Sequence, residues 1–249
     1  MSFNYPLYII FLIQRIIKGQ RIFYRFLLDL VILSFLKRDF VHLCFLKISL
    51  EESTKMQLNL EIGVASKQEW IDAVMGDFNA FLQDHADCER KASSMAMSFV
   101  AKYPNRVEII PELIETAVEE LEHFQQVYAL MEKRGVELPA RMTKDKYVER
   151  LIKQAYSVPE RRFMDRLLIA SVLETRGAER FKMVADALEE PELKKFYKML
   201  WTSEAKHGHI FVKMAMNYFN RKDVYDRLHW WIDREAEVIE GLEIRAALH

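Results

Sequence analysis

The chain has 249 residues, of which 51% are hydrophobic and 29% charged, with a formal net charge of −1. This excludes a disordered or fibrous chain and a protein that is basic overall. Its two cysteines, Cys44 and Cys88, exclude a disulfide framework and a four-cysteine metal site.

Residues 1–55 stand apart from the rest. They carry 8 Lys/Arg against 4 Asp/Glu, a net of +4 that leaves −5 for residues 56–249. The segment is rich in Ile, Leu and Phe and has no acid before Asp29. Its longest uncharged apolar runs, Pro6–Ile13 and Leu30–Leu36, are shorter than the ~20 residues of a spanning helix. The charges follow the apolar run and no small-residue cleavage site appears, so it does not read as a secretory signal. Three readings stand: a membrane-surface helix carrying Arg15, Lys18, Arg21 and Arg25; an extra helix packed on the main domain; or a segment outside the mature protein, which would then start at Met56. The abrupt shift in composition near Met56 favours the last, and the mass of the natively expressed protein tests it. The expected division is therefore an N-terminal extension over 1–55 and one main domain over 56–249, with no stable membrane partner for the latter.

In the main domain Gly and Pro are scarce, which favours long helices with few breaks. Ser66-Lys67-Gln68-Glu69 has the spacing of a capping box, and the pattern predicts a helix from about Lys67 to Tyr103. Phe78, Phe81, Leu82, His85, Glu89, Ala92 and Ala96 form its inner stripe. A second helix starts near Ile110, with Pro111 in its first turn. Its stripe is Leu113, Ala117, Glu120, His123/Phe124, Val127 and Met131, and Gly135 closes it. Residues 136–158 read as a crossover containing a short helix over Lys144–Tyr156. A third helix over Glu160–Glu189 places Ile169/Ala170, Glu174, Gly177/Ala178 and Phe181 on one stripe. The fourth opens at Pro191 and extends to about Phe219, with Phe196, Leu200, Ser203/Glu204, His207, Phe211 and Met214 inward. Asp223 is expected to cap a fifth helix bearing Trp230, Trp231, Ile232, Val238 and Leu242.

Two carboxylate–imidazole pairs, Glu120-x-x-His123 and Glu204-x-x-His207, lie inside these stripes. Three-residue spacing puts both side chains of each pair on one helix face. Glu89 precedes Glu120 by 31 residues, and Glu174 precedes Glu204 by 30. A single Glu-x-x-His is common on acidic helices. Two of them, each led by a core-facing Glu at matched spacing, form the ligand order of a four-helix bundle with two metal ions at its centre. Four carboxylates brought into a core must protonate or bind cations. Two divalent ions balance the four glutamates with both imidazoles neutral. Carboxylate with imidazole and no thiolate suits iron or manganese, and iron where oxygen is to be activated. Glu120 and Glu204 would bridge the ions, Glu89 and Glu174 would each bind one ion terminally, and His123 and His207 would each complete one ion's ligand set.

Other groups are read more plainly. Glu119, Glu122 and Glu179 lie off the stripes and are expected to be solvated. His85, one turn before Glu89, is either its hydrogen-bond partner or a core histidine, and His209 is structural. Cys88 is expected to be a small reduced packing residue. Met97, Met199 and Met214 are expected as core filler. Tyr128 and Tyr197 could lie near the site, and Phe124, Ile169 and Phe211 could line a pocket or simply pack. No Gly-rich phosphate loop, nucleophile elbow or zinc-finger spacing occurs.

The local sequences Asp87-Cys88-Glu89-Arg90-Lys91-Ala92, Glu119-Glu120-Leu121-Glu122-His123, Glu174-Thr175-Arg176-Gly177-Ala178-Glu179-Arg180-Phe181 and Ser203-Glu204-Ala205-Lys206-His207 carry a resemblance. From about Met56 to His249 the chain resembles the ferritin-like di-iron proteins, and within them the MiaE-type tRNA hydroxylases. The resemblance implies an all-α, ferritin-like four-helix bundle with a crossover between helices two and three and an additional C-terminal helix. It implies two iron ions, O2 as co-substrate and an external electron donor such as a reductase. The implied activity is hydroxylation of the isopentenyl group of a 2-methylthio-N6-isopentenyl adenosine beside the tRNA anticodon; the sparse cysteines point to the cytoplasm. Residues 131–166, with 10 Lys/Arg and 6 acids, could then track phosphates of the anticodon stem-loop; a solvated connection with ordinary ion pairs is the alternative. A ferroxidase, an iron-storage protein or a peroxide-detoxifying protein would use the same six ligands.

Overall fold

A computed structural model describes residues 60–141 and 144–249, so the three readings of residues 1–55 lie outside the described residues. Among the described residues the chain forms α1 (Gln68–Gly76), α2 (Phe78–Lys102), a 3-10 turn (Val107–Ile109) leading into α3 (Ile110–Arg134), α4 (Lys146–Ile152), α5 (Pro159–Ala187), α6 (Pro191–Met216) and α7 (Arg221–Glu240). The closest pairings are α2 with α3 and α5 with α6. Each pair is joined by a short link, so its helices run antiparallel. The two pairs face each other as a four-helix bundle, with the crossover containing α4 between α3 and α5. The additional C-terminal helix, α7, packs on α5 from outside, as do α1 and α4.

The expected helix over 67–103 is two helices. Asp77 leaves the helical region (φ −142°, ψ 70°), and its carboxylate accepts from the Ala80 N–H at 3.0 Å, restarting the chain as α2. The Ser66 capping box does not form either. The Ser66 N–H and hydroxyl both donate to Glu179, each at 2.7 Å. An ionised acceptor on α5 outcompetes a local cap, so Glu179 is engaged rather than merely solvated. Four other ends follow the sequence closely: Pro111, Pro159 and Pro191 sit in first turns, and Gly135, at φ 66°, closes α3 in the left-handed region. The α7 cap is Asn220, whose side chain accepts from Asp223 N at 2.9 Å, one turn earlier than expected. The short α4 is capped by Asp145, which accepts from Val148 N at 3.0 Å.

Aromatic layers close the bundle at both ends of its centre. Phe81, Phe181 and Tyr197 surround His85, the nearest ring centroid lying at 4.7 Å. At the other end Phe99, Tyr103, Phe163 and Phe211 interlock, with Tyr103 and Phe163 at 4.6 Å. Such rings carry packing energy and exclude water. Of the three methionines expected in the core only Met214 is there; Met97 and Met199 are exposed.

Two buried polar networks hold the outer helices to α5. Asp165 accepts from Tyr156 N, from Arg227 and from Trp231 Nε1. Arg176, fully buried, pairs twice with Glu235 of α7 at 2.7 and 2.8 Å and donates to Val64 O at 2.7 Å. The Tyr147 hydroxyl of α4 donates to the same Glu235 at 2.9 Å. Gly208 permits the close approach of α6 to α5: a Cβ there would come within 2.9 Å of Thr175 Oγ1. That contact lies beside His207 and so fixes the spacing of α6 from Glu174. Among the described residues no helix is long and apolar enough to cross a membrane.

Candidate metal centre

Glu89 on α2, Glu120 and His123 on α3, Glu174 on α5, and Glu204 and His207 on α6 all point into the middle of the bundle. All six are buried. They fall into two overlapping groups, Glu89–Glu120–His123–Glu204 and Glu120–Glu174–Glu204–His207, in each of which one donor atom per residue lies within 4.8 Å of the others. Glu120 and Glu204 belong to both groups.

The contacts inside the cluster test whether these residues fit metal ions. His123 Nδ1 lies 3.6 Å from Glu89, 3.4 Å from Glu120 and 3.4 Å from Glu204. His207 Nδ1 lies 2.6 Å from Glu120 and 3.8 Å from Glu204. Yet both Glu120 oxygens, Glu204 Oε1, His123 Nδ1 and His207 Nδ1 have no aligned hydrogen-bond partner although they are buried. Buried polar atoms are normally satisfied. Atoms crowded together but not aimed at one another converge on common points between them, which is the geometry of a ligand set. Oxygen and imidazole donors with no thiolate fit two hard or borderline divalent ions.

The electrostatics agree. Burial, and then the neighbouring glutamates, push the Glu89 and Glu174 carboxyls well above the usual range. Glu204 is held below it: burial opposes this, but Glu174, His123 and His207 outweigh burial. Burial also disfavours the charged His123 ring, yet Glu120, Glu204 and Glu89 push its pKa up to about 12. By the same opposition His207 rises to about 10 through Glu120 and Glu204. Without cations, protons hold the cluster together; cations would replace them.

Two residues support the candidate ligands. His85 is fully buried, and burial lowers its pKa to about 3, so the ring is neutral. Its Nε2–H donates to Glu89 at 2.7 Å while Nδ1 accepts from the Tyr197 hydroxyl at 3.2 Å. The two readings of His85 are thus both true of it. Glu119, expected to be solvated, instead accepts from His207 Nε2–H at 2.7 Å and from Lys206 Nζ at 2.8 Å. It turns the other ring nitrogen of His207 into the cluster. The one sequence hint was charge: Lys206 beside His207, and Glu119 beside Glu120.

A cavity of ≈ 770 Å³ opens on the cluster. Glu89, Glu120, Glu174 and Glu204 all face it, whereas His123 and His207 stand behind them. Its walls near the carboxylates are apolar, from Ala92, Met95, Ile169, Leu173 and Phe181. Cys88 reaches this wall too, 3.9 Å from His249; it is a free, half-buried cysteine packed against the core, as the sequence suggested. Of the other residues considered for the site, Phe124 packs beside Leu82 and Tyr128, Phe211 belongs to the aromatic layer, and Tyr128 is exposed.

The basic segment 131–166 divides its charges. Arg134 pairs with Glu190 at 3.0 Å, Arg150 donates to Gly241 O at 3.0 Å, Arg162 donates to Tyr156 O at 3.3 Å, and Arg161 stacks on Tyr156. Lys144, Lys153 and Arg166 line the cavity.

A four-helix bundle with a crossover, holding two led Glu-x-x-His pairs at its centre, defines the class: this is a ferritin-like fold of the di-metal carboxylate type. The chain belongs to the MiaE family, whose model, described as tRNA-(MS2IO6A)-hydroxylase (MiaE), matches residues 55–249. It is 32% identical over 193 residues to the tRNA 2-(methylsulfanyl)-N(6)-isopentenyladenosine(37) hydroxylase of Pseudomonas putida, covering 78% of this chain and 93% of that one. The protein of the same description from Salmonella typhimurium is 28% identical over 132 residues, 53% of this chain and 48% of that one. Among solved structures, a protein with aldehyde deformylating oxygenase activity from Synechococcus superposes with a TM-score of 0.72 at 28% identity, covering 77% of this chain and 96% of that chain.

Proposed function

We propose that the protein is an oxygen-dependent di-iron monooxygenase that hydroxylates the isopentenyl group of 2-methylthio-N6-isopentenyl adenosine next to the tRNA anticodon, in the cytoplasm. Glu89, Glu120, His123, Glu174, Glu204 and His207 would hold two irons, Glu120 and Glu204 being shared by both donor groups. Bound there, the irons supply O2 activation with electrons from an external donor, one oxygen atom entering a C–H bond and the other leaving as water. The observation that carries this reading is the orientation of the cluster: its four carboxylates face an apolar-walled cavity, and its imidazoles do not.

The chain's own groups then have definite tasks. Ile169, Leu173 and Phe181 receive the five-carbon side chain and keep bulk water from the reacting carbon. Cations at the cavity wall meet the polyanionic substrate. His85 and Glu119 fix the orientation of Glu89 and His207. A ferroxidase or storage protein would use the same ligands but has no use for an apolar cavity of this size in front of them.

Removing Glu119 tests its part directly. Glu119→Ala is expected to weaken metal binding in the His207 group by about 10–100-fold while affecting the His123 group less. A two-step titration of the metal-free protein with ferrous iron would read this as a separation of the two affinities; two unchanged steps would dismiss the role.

The reading as a whole is tested by nucleoside analysis of tRNA from cells lacking the gene. The hydroxylated isopentenyl base is expected to disappear and to return with the intact gene but not with Glu120→Ala. An unchanged nucleoside profile would overturn the substrate assignment.

A further inference from the structure

Arg166 lines the same cavity as the cluster, on the α5 face that also carries Ile169, Leu173 and Glu174. Its Nη2 donates to Ser98 Oγ on α2 at 3.0 Å, and its guanidinium carbon lies 4.9 Å from the Phe99 ring centre. That contact aligns α2 with α5. One turn further along each helix stand Lys102 and Arg162, in opposite chain directions, so the three cations gather together, with Arg166 at the cavity wall. No carboxylate lies within ion-pair distance of Arg166, Arg162 or Lys102 among the described residues. The α4 side of the mouth differs: Lys153 is paired with Glu149 at 2.8 Å, and Asp145 adds a further acid. The mutual field of the cluster is felt in its titration. Lys102 is held below the usual lysine range by Arg166, then by burial and Arg162, and Arg166 is lowered by burial and by Arg162, with Tyr103 opposing.

Like charges collected without a counter-charge are costly unless an anion completes them. A guanidinium braced by a hydroxyl and an aromatic face is pre-set to give its remaining N–H groups to a phosphate. We propose that Arg166, backed by Lys102 and Arg162, grips a backbone phosphate of the nucleic-acid substrate and so sets how deep the modified base reaches. Arg166 and Glu174 are eight residues apart on α5, or about 12 Å along the axis at 1.5 Å per residue. A nucleotide stretched from its phosphate to the tip of a side chain on its base spans a similar length. The inference rests on the reading of the substrate given above and adds which phosphate-binding groups serve it.

The test is equilibrium binding of a stem-loop RNA carrying the isopentenyl adenosine to the metal-loaded full chain, followed against salt. Arg166→Gln is expected to weaken binding tenfold or more and to reduce the slope of log affinity against log salt by roughly 0.7–0.9 for each phosphate no longer neutralised. Arg166→Lys should keep the slope and recover much of the affinity. Lys102→Gln, an exposed position whose loss does not threaten folding, should reduce the slope in the same sense. Unchanged slopes in Arg166→Gln and Lys102→Gln, with the wild type still hydroxylating the stem-loop, would overturn the phosphate site alone. Equal loss in Arg166→Lys and Arg166→Gln at unchanged slope would assign Arg166 a purely structural part and overturn it as well. A wild type that neither binds nor hydroxylates the stem-loop would instead overturn the substrate reading beneath it.

Discussion

Glu120→Ala is expected to abolish stable binding of both metal ions and, with it, hydroxylation of tRNA. Glu120 is one of two residues common to both donor groups, and both of its oxygens are buried without an aligned partner. Losing a terminal ligand such as Glu89 weakens one ion; losing Glu120 opens both sites at once. Metal content per chain, measured after desalting, should fall from near two to near zero. Thermal melting gives a second readout. A ligand held at 1,000 times its Kd stabilises the native state by about 4 kcal/mol, and in a domain of this size each kcal/mol moves Tm by about 2–4 °C. The intact protein should therefore melt roughly 8–16 °C higher with ferrous iron than with chelator. Glu120→Ala should show no such difference, and retention of both ions would remove Glu120 from the ligand set.

Glu235→Ala is expected to be the most damaging change outside the metal centre. Glu235 accepts both contacts from Arg176 and the hydroxyl of Tyr147, and all three side chains are out of solvent. Removing it leaves the buried guanidinium with only Glu179, at 3.2 Å, and the Val64 and Ser66 oxygens as partners, which costs up to about 3–5 kcal/mol. The corresponding fall in Tm is about 6–20 °C. Replacing the charge pair together, as Arg176→Met with Glu235→Leu, should recover most of the loss, since a buried pair is worth little against apolar residues of similar volume. A double-mutant cycle by denaturant unfolding of the metal-free protein separates the two contributions. If the single variant melts within a degree or two of the parent, the network is not what fastens α7 and α4 to α5.

The convergence of the six candidate residues and the four core helices were legible because they share one signal. An acid inside an apolar stripe at helical spacing shows its face and its oddity together, and Glu89, Glu120, Glu174 and Glu204 each do so. What remained hidden depends on partners far away in sequence. Ser66 looked like a cap because Glu69 follows it; its real acceptor, Glu179, is 113 residues on. Glu119 lies off the stripe of its own helix, and only the approach of α6 brings His207 to it. The helix break at Asp77 had its local sign in Gly76-Asp77, but the apolar period running across it masked the stop. The basic segment failed differently. Counting charges over 131–166 missed that Arg134 and Arg150 are occupied by contacts within the protein, and that Lys102 joins Arg162 and Arg166 from another helix.

The way the six candidate ligands divide between the helix pairs has a mechanical meaning. α2 and α3 contribute Glu89, Glu120 and His123; α5 and α6 contribute Glu174, Glu204 and His207. Each donor group takes three residues from one pair and one from the other, and the lone crossing residues are Glu120 and Glu204. An ion in either group is therefore a rivet through the seam between two hairpins, with its head in one and its point in the other. Pulling the rivets would leave each hairpin's own packing untouched and loosen only the seam. The seam is also where the cavity opens, so loading the metals and shaping the room for substrate become one mechanical event.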